Sequence, residues 1–144
     1  MDSIFSFHSL EHLDTPIDSL NEMHNKLKVG GCIVVEVPHA NDFLLSIADN
    51  KAFREFTLWS QHLILHTRDS LTTFLNYCRF HDIVIEGCQR YPLSNHFNWL
   101  INALPGGHKS KFSIIDDNDL NYAYSSALDR IDANDTIIAL AYKK

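Results

Sequence analysis

The chain has 144 residues, 45% of them hydrophobic, with five glycines, four prolines and no low-complexity tract. This is enough for a single core and argues against a disordered segment. A formal charge of −6, with twelve Lys and Arg spread thinly, argues against a nucleic-acid backbone as partner, and no apolar run approaches membrane-spanning length. The polar N-terminus does not read as a signal peptide, so the expected location is the cytoplasm. Three cysteines without a CxxC spacing (Cys32, Cys78 and Cys88) read as reduced thiols, the first two buried.

In chain order, Ile4 to Phe7 is a short strand that runs into a loop carrying His8, Glu11 and His12. Thr15 at the N-cap, Pro16 at the first helical position and Asp18 in the first turn then start a helix. Ile17, Leu20, His24 and Leu27 share one of its faces, and Gly30-Gly31 stops it. Residues 32–37 form a nearly continuous apolar strand, expected to be covered on both faces, with Pro38 ending it. Its Glu36 must be paired or lie at an edge, because an isolated buried carboxylate is costly.

From His39 to His66 the pattern predicts one short helix and then a mobile, aromatic-rich cover around Phe53, Phe56 and Trp59. Thr67 caps a helix that aligns Leu71, Phe74, Leu75 and Cys78, and residues 83–88 form a third strand. The stretch from Tyr91 to Lys111 reads as irregular. Leu120, Ala123, Tyr124, Ala127, Leu128 and Ile131 keep the best helical period in the chain, with Asp116 to Asp119 as an acidic helix start, and Thr136 to Tyr142 is a last strand. Strand and helix alternate with crossovers long enough for right-handed connections, so the expected class is a single α/β domain over residues 1–144, with the first strand leaving an open sheet edge.

Two groups of residues carry candidate chemistry. His8, Glu11 and His12 spell H-x-x-E-H, but the run straddles a strand end, so the helical zinc-protease reading is disfavoured. Ligands bind at the carboxyl ends of strands in open α/β sheets. His12 is therefore the first candidate for a general base, followed by His39 after Pro38; the competing reading of His39 is an exposed loop residue. Arg90, Tyr91, Asn95 and His96, with His108 and Lys109, mix stacking and hydrogen-bonding groups suited to a sugar-like acceptor, or else form a turn held by Pro92 and Pro105.

The segment from Ile4 to Val37, with its HSLEHL run, its D-T-P helix start, the LKVGG turn and the strand IVVEVP, resembles class I S-adenosylmethionine-dependent methyltransferases, in particular the small-molecule branch. Residues 89–96 and 105–108 look similar to methyltransferases of surface-polysaccharide synthesis. The resemblance covers essentially the whole chain and implies a partial Rossmann-like sheet of about four strands, the last antiparallel, flanked by helices. It corresponds to the C-terminal part of the family's domain. The family's Gly-rich turn and ribose-binding acid precede that part, and no G-x-G occurs here, so the resemblance implies a truncated domain whose binding of the cofactor is in question.

By this resemblance the cofactor is S-adenosylmethionine, met by Phe7, His8 and Ser9, and the acceptor is a small molecule such as a sugar or polysaccharide precursor, bound by Arg90, Tyr91, Asn95 and His96. Some relatives place E-x-x-E/D-H in the first loop to hold a divalent metal. Here the set would be His8, Glu11 and His12, with His39, His62 or His66 able to complete it, and two histidines with a carboxylate suit Zn, Mn or Fe better than Mg. The alternative to an enzyme is a non-catalytic remnant that pairs as a homodimer through the open strand edge.

Overall fold

In the computed structural model, which describes residues 1–59 and 61–144, the order of elements is that of an α/β chain with a four-stranded mixed sheet. The strands are β1 (Ser3–Phe7), β2 (Cys32–Pro38), β3 (Phe80–Cys88) and β4 (Thr136–Lys143), in the spatial order β1-β2-β4-β3. The helices are α1 (Pro16–Lys26), α2 (Phe43–Ser46), α3 (Lys51–Thr57), α4 (Arg68–Tyr77), α5 (Leu93–Asn102) and α6 (Asn118–Arg130). None of the helices among the described residues is long and apolar enough to cross a membrane. The chain divides into two compact units, one of Met1–His39, Ser60–Glu86 and Ile137–Lys144, the other of Ala40–Trp59 and Gly87–Thr136.

In the first unit, β1 and β2 run parallel, in register from Ser3 opposite Cys32 to Phe7 opposite Glu36. The residue after β1 continues the ladder, the His8 amide donating to the Glu36 carbonyl at 2.9 Å. Lys143 exchanges backbone bonds with Gly30 and Gly31, just ahead of β2, so β4 runs antiparallel to β2. The Lys144–Asp82 ion pair sets the end of β4 beside the start of β3, which is antiparallel to it in turn. β1 is thus an edge strand, as the sequence leads one to expect.

The core is built on one face of this sheet. Ile33, Val35, Val37, Ile137, Ala139 and Ala141 are fully buried there against Leu20 and Leu27 of the first helical segment and Leu71, Leu75 and Cys78 of the second. The opposite face carries Phe5, Phe7 and Val84, all more than half exposed, with Val34, Ile138 and Leu140 half-buried. The two-sided cover expected for β2 is therefore not what the structure shows: burial alternates residue by residue along a strand that is apolar but for Glu36. An apolar run tells that a strand can be buried on both faces and not that a second layer is there.

Local signals hold with small differences. Pro16 opens α1 as expected, but the Thr15 side chain makes no capping bond. Thr67 does cap α4, in a reciprocal capping box with Ser70. Asp117 caps α6 by accepting from the Leu120 amide. β3 begins three residues earlier than expected, at Phe80, and Cys32 is half-buried with its thiol beside Ser3, while Cys78 is buried.

In the second unit the stretch expected to be irregular contains α5, and the stretch after β2 holds two short helices rather than one. α5 escapes a periodicity reading because its buried side includes Ser94, Asn95, His96 and Asn98 beside Trp99. Those polar groups are satisfied locally. Asn95 Oδ1 accepts from the amides of Gly106 and Gly107, and Asn98 donates to the carbonyls of Leu104 and Pro105. Phe53 and Phe56, expected in a cover, pack on Trp99 with centroids 5.1 and 5.2 Å away.

Gly107 is the tightest point of that turn: a Cβ there would meet the Ser94 carbonyl oxygen and sit 2.6 Å from Asn95 Cα. At Gly30 the backbone is left-handed (φ +78°) but the space is open. Gly107→Ala is therefore expected to cost more than about 3 kcal/mol, through overpacking against backbone that cannot yield. Gly30→Ala is expected to cost about 1 kcal/mol, from backbone conformation alone. Urea unfolding followed by circular dichroism checks the order; equal midpoints for the two variants would contradict it.

Candidate functional site

The first unit gathers its ionisable groups where β1 ends. His8 leaves the strand with a left-handed backbone (φ 45°), and a single 3-10 turn, Leu10–His12, follows. That turn buries Leu10 in the core and takes Glu11 with it, to 1% exposure. His8 stands between two carboxylates: Nε2 is 2.9 Å from Glu36 Oε1 and Nδ1 is 3.3 Å from Glu11 Oε1. This pairing is what the sequence requires of a glutamate inside β2. On the other side of Glu11, His12 Nε2 lies 3.8 Å from Oε1. Neither Glu11 oxygen has a partner in hydrogen-bond geometry, although Oε1 lies near both rings.

His12 is oriented from behind. Its Nδ1 is 2.6 Å from the Gln61 carbonyl oxygen, a pure acceptor, so Nδ1 carries the proton and Nε2 presents its lone pair. The Gln61 segment is itself fixed to the turn, the Leu63 amide donating to the Glu11 carbonyl at 2.8 Å. This brings the His62 ring to 4.9 Å from that of His12. The structure thus joins His8, Glu11 and His12 as expected and adds His62, which the sequence offered only as one of three completing histidines.

The other two, His39 and His66, meet each other in a parallel bridge and are both buried. Burial lowers the His66 pKa and keeps it neutral, beside Ser70 and edge-on to Phe74. His39 is 1% exposed, which is not the exposed loop histidine of the competing reading. Phe7 is exposed on the outer sheet face, stacked on Phe5 at 6.0 Å, and Ser9 Oγ donates to the Phe7 carbonyl.

The second unit has its own polar cluster, at residues flanking β3 and β4. Asp135 is half-buried and accepts from Gln89 Nε2 and from the amides of Arg90 and Tyr91. Its pKa is nevertheless raised, because burial outweighs those donors. His96 Nδ1 is 2.5 Å from the Tyr124 hydroxyl and the ring stacks on Phe43. Burial lowers His96 to about 4 and raises Tyr124 to about 12, the nearby charges of Asp42 and Asp135 adding to the latter. Asp42, the N-cap of α2, accepts from the Leu44 amide, yet burial and then Asp135 raise it to about 7.

Of the four acceptor-binding candidates, then, Arg90 and Tyr91 contribute backbone amides to this cluster, His96 sits inside it, and Asn95 holds the Gly106-Gly107 turn. Sequence reasoning missed Asp42, Gln89, Tyr124 and Asp135. The available signal was position: Asp42 and Gln89 closely follow predicted strands, and Asp135 immediately precedes one.

A sulfonium nucleoside of the S-adenosylmethionine type is held where glycine lets backbone come close to the ligand. The glycines here are committed elsewhere. Gly30 and Gly31 lie ahead of β2, where a Cβ on Gly31 would meet the Asp2 and Lys28 carbonyls at 3.0 Å, Gly87 is within β3, and Gly106 and Gly107 form the turn under Asn95. The loop after β1 offers Phe7, His8 and Ser9, none of which is a glycine.

No protein-family model matches the sequence, and no curated protein matches it either. The fold does have counterparts. A SAM-dependent methyltransferase from Archaeoglobus fulgidus superposes on 99% of this chain with a TM-score of 0.58 at 19% identity. Another from Thermotoga maritima does so with a TM-score of 0.61 at 11% identity, also over 99%. Phosphoethanolamine N-methyltransferase 2 of Haemonchus contortus, solved with S-adenosyl-L-methionine, gives 0.59 at 17% identity over 99%. The chain spans 59%, 56% and 33% of their respective lengths. At these identities the likeness is one of fold.

Asp42 makes stability depend on pH with a definite sign. Its folded pKa is raised, to about 7 from 3.8, so the folded chain keeps a proton that the unfolded chain releases. That contribution is complete below about pH 4 and is lost as pH rises through 7, a change on the order of 4 kcal/mol. His96 acts oppositely, its lowered pKa favouring the fold as pH rises from about 4 towards 6.5. Asp42→Asn keeps an oxygen for the Leu44 amide and cannot ionise. Its stability relative to the unmodified chain is expected to increase steadily from pH 4 to pH 8 in urea unfolding; a difference independent of pH would contradict the buried-acid assignment.

Proposed function

We propose that this chain forms the acceptor-facing part of a methyl-transfer domain acting on a small molecule, with S-adenosylmethionine as the donor the fold points to. The observation that carries this is His12: a histidine with a fixed tautomer and an available Nε2, beside a buried carboxylate, at the carboxyl end of a strand in an open α/β sheet. Nε2 takes the proton of an acceptor hydroxyl or amine as its lone pair attacks, and Glu11 stabilises the imidazolium so formed. His39 is buried and is assigned to holding the end of β2 through its bridge to His66. Taken by itself, the second unit's cluster of Arg90, Tyr91 and His96, with Tyr124 and the two aspartates, offers the mix of polar and aromatic groups suited to a sugar-like molecule. A cytoplasmic location and the absence of a nucleic-acid partner belong to the same reading.

The exposed outer sheet face favours a second reading, a non-catalytic module that self-associates. Phe5, Phe7 and Val84 lie on that face and β1 is an open edge, a combination that marks association surfaces. A species that sediments as a monomer at about 10 μM would remove the homodimer, an affinity of that order being the least a functional pair needs.

Calorimetric titration with S-adenosylhomocysteine tests the first reading. With a loop that lacks glycine, the expected dissociation constant is weak, about 0.1–1 mM. His8→Ala is expected to weaken it further, several-fold. The absence of any heat at about 10 mM ligand would reject donor binding by this chain and leave the second reading.

A further inference from the structure

We propose that the outer face of the sheet is a dimer surface, on which a second copy of this chain packs face to face with its strands antiparallel. The inference rests on the self-association reading and deepens it, by naming the surface and the orientation of the partner. The face is a continuous apolar platform. Phe5 and Phe7 of β1, Val34 of β2, Ile138 and Leu140 of β4 and Val84 of β3 stand on it, because each alternates along its strand with residues turned to the core. A sheet that packs helices on one face alone normally turns polar side chains to water on the other. Here those positions hold Phe, Val, Ile and Leu, the composition of a face that is covered.

The size of the platform suits a protein partner. Strands of five to nine residues, four abreast at about 4.8 Å, give it dimensions of roughly 19 by 20 Å. With the side chains of its rim it offers accessible surface on the order of the 800 Å² per partner that a standard interface buries. The edge of β1 is a poorer surface for pairing. Asp2 and His8 bond towards β2, so by alternation the outward backbone groups are those of Ser3, Phe5 and Phe7. Of these, the Phe7 carbonyl already accepts from Ser9 Oγ at 3.1 Å. An edge pair would also leave the apolar platform in water, whereas two sheets stacked about 10 Å apart cover both platforms at once.

Charge complementarity agrees with a second copy and selects its orientation. β1, β2 and β3 end on the same side of the sheet, where Glu36 and the exposed Glu86 stand on the outer face. At the opposite end the face carries Lys144, beside Asp82 and more than half exposed. A two-fold axis along the strands would set the acids of the two copies against each other. An axis across the strands separates them and brings Lys144 of each copy towards the acidic end of the other. One chain thus supplies both sides of the match, as a two-fold interface requires.

The test is sedimentation equilibrium of the full chain between about 0.1 and 100 μM, where a dimer with a dissociation constant below about 10 μM is expected. Leu140→Lys, on a central strand that no edge pairing touches, is expected to weaken the dimer more than about 100-fold. Glu86→Lys and Lys144→Glu should each weaken it about tenfold, and the two together should restore it to within about threefold. Both charged positions are exposed, which keeps these variants foldable, and circular dichroism verifies this for all three substitutions. A chain that sediments as a monomer at about 10 μM overturns this inference and the self-association reading together, and leaves the face to a different polypeptide. A dimer unaffected by Leu140→Lys overturns this inference alone, because the pairing then uses another surface such as the β1 edge. A double variant that pairs no better than either single variant overturns the antiparallel arrangement, and the inference with it. None of these readouts involves the methyl donor, so the methyl-transfer reading stands or falls separately.

Discussion

The parallel pairing of β1 with β2 is the constraint on which the first unit depends. It sets Phe7 opposite Glu36 and lets the ladder run one residue further, so that His8 leaves the strand beside that carboxylate. Because Leu10 must enter the core, the following turn is short and Glu11 is drawn inside with it. The histidine–carboxylate cluster is thus a consequence of backbone register and one buried leucine. A slip of one residue in the β1–β2 register would exchange the core and outer faces of β1, exposing Ile4 and taking the whole cluster apart.

Three carboxylates shielded from solvent to different degrees show three ways a fold deals with the same electrostatic problem. Asp135 collects donors from Gln89 and two backbone amides and still has a raised pKa, which measures how far desolvation exceeds even good hydrogen bonding. Asp42 has a helix N-terminus but faces Asp135, and it moves to about 7, where it exchanges its proton near neutral pH. Glu11 has two histidine rings near it and no aligned donor at all. Groups left in that state at a strand end are seldom there for stability, since an apolar side chain of similar size would serve the core better.

Elements with a strong local signal were legible in the sequence. Helices α1, α4 and α6 are marked by their start signals (Pro16 for α1, the capping residues Thr67 and Asp117 for α4 and α6) and by an apolar stripe, and β2 and β4 by apolar runs between turn residues. What was not legible is whatever depends on partners distant in the chain. α5 hides because its buried side is largely amide and hydroxyl, groups that look solvent-facing until Gly106, Gly107 and Pro105 are folded beneath them. The outer face of the sheet reads as interior because apolar content cannot reveal whether a second layer exists. The candidate site divides along the same line. His8, Glu11 and His12 are neighbours in sequence and could be grouped by eye, whereas His62 reaches Glu11 and His12 across some fifty residues. Nothing in a one-dimensional pattern selects it over His39 or His66, and only the backbone bonds of Leu63 and Ile64 do.

Fold likeness and site chemistry carry different weight here. Superposition on methyltransferases at 11–19% identity identifies a scaffold, and scaffolds of this kind host many reactions. The loop after β1 provides groups of another kind: a histidine whose tautomer is fixed by a backbone carbonyl, a second histidine and a buried carboxylate without an aligned hydrogen-bond donor. The burial of Glu11 next to a histidine oriented by a backbone carbonyl is the physical ground on which the proposed role of His12 rests.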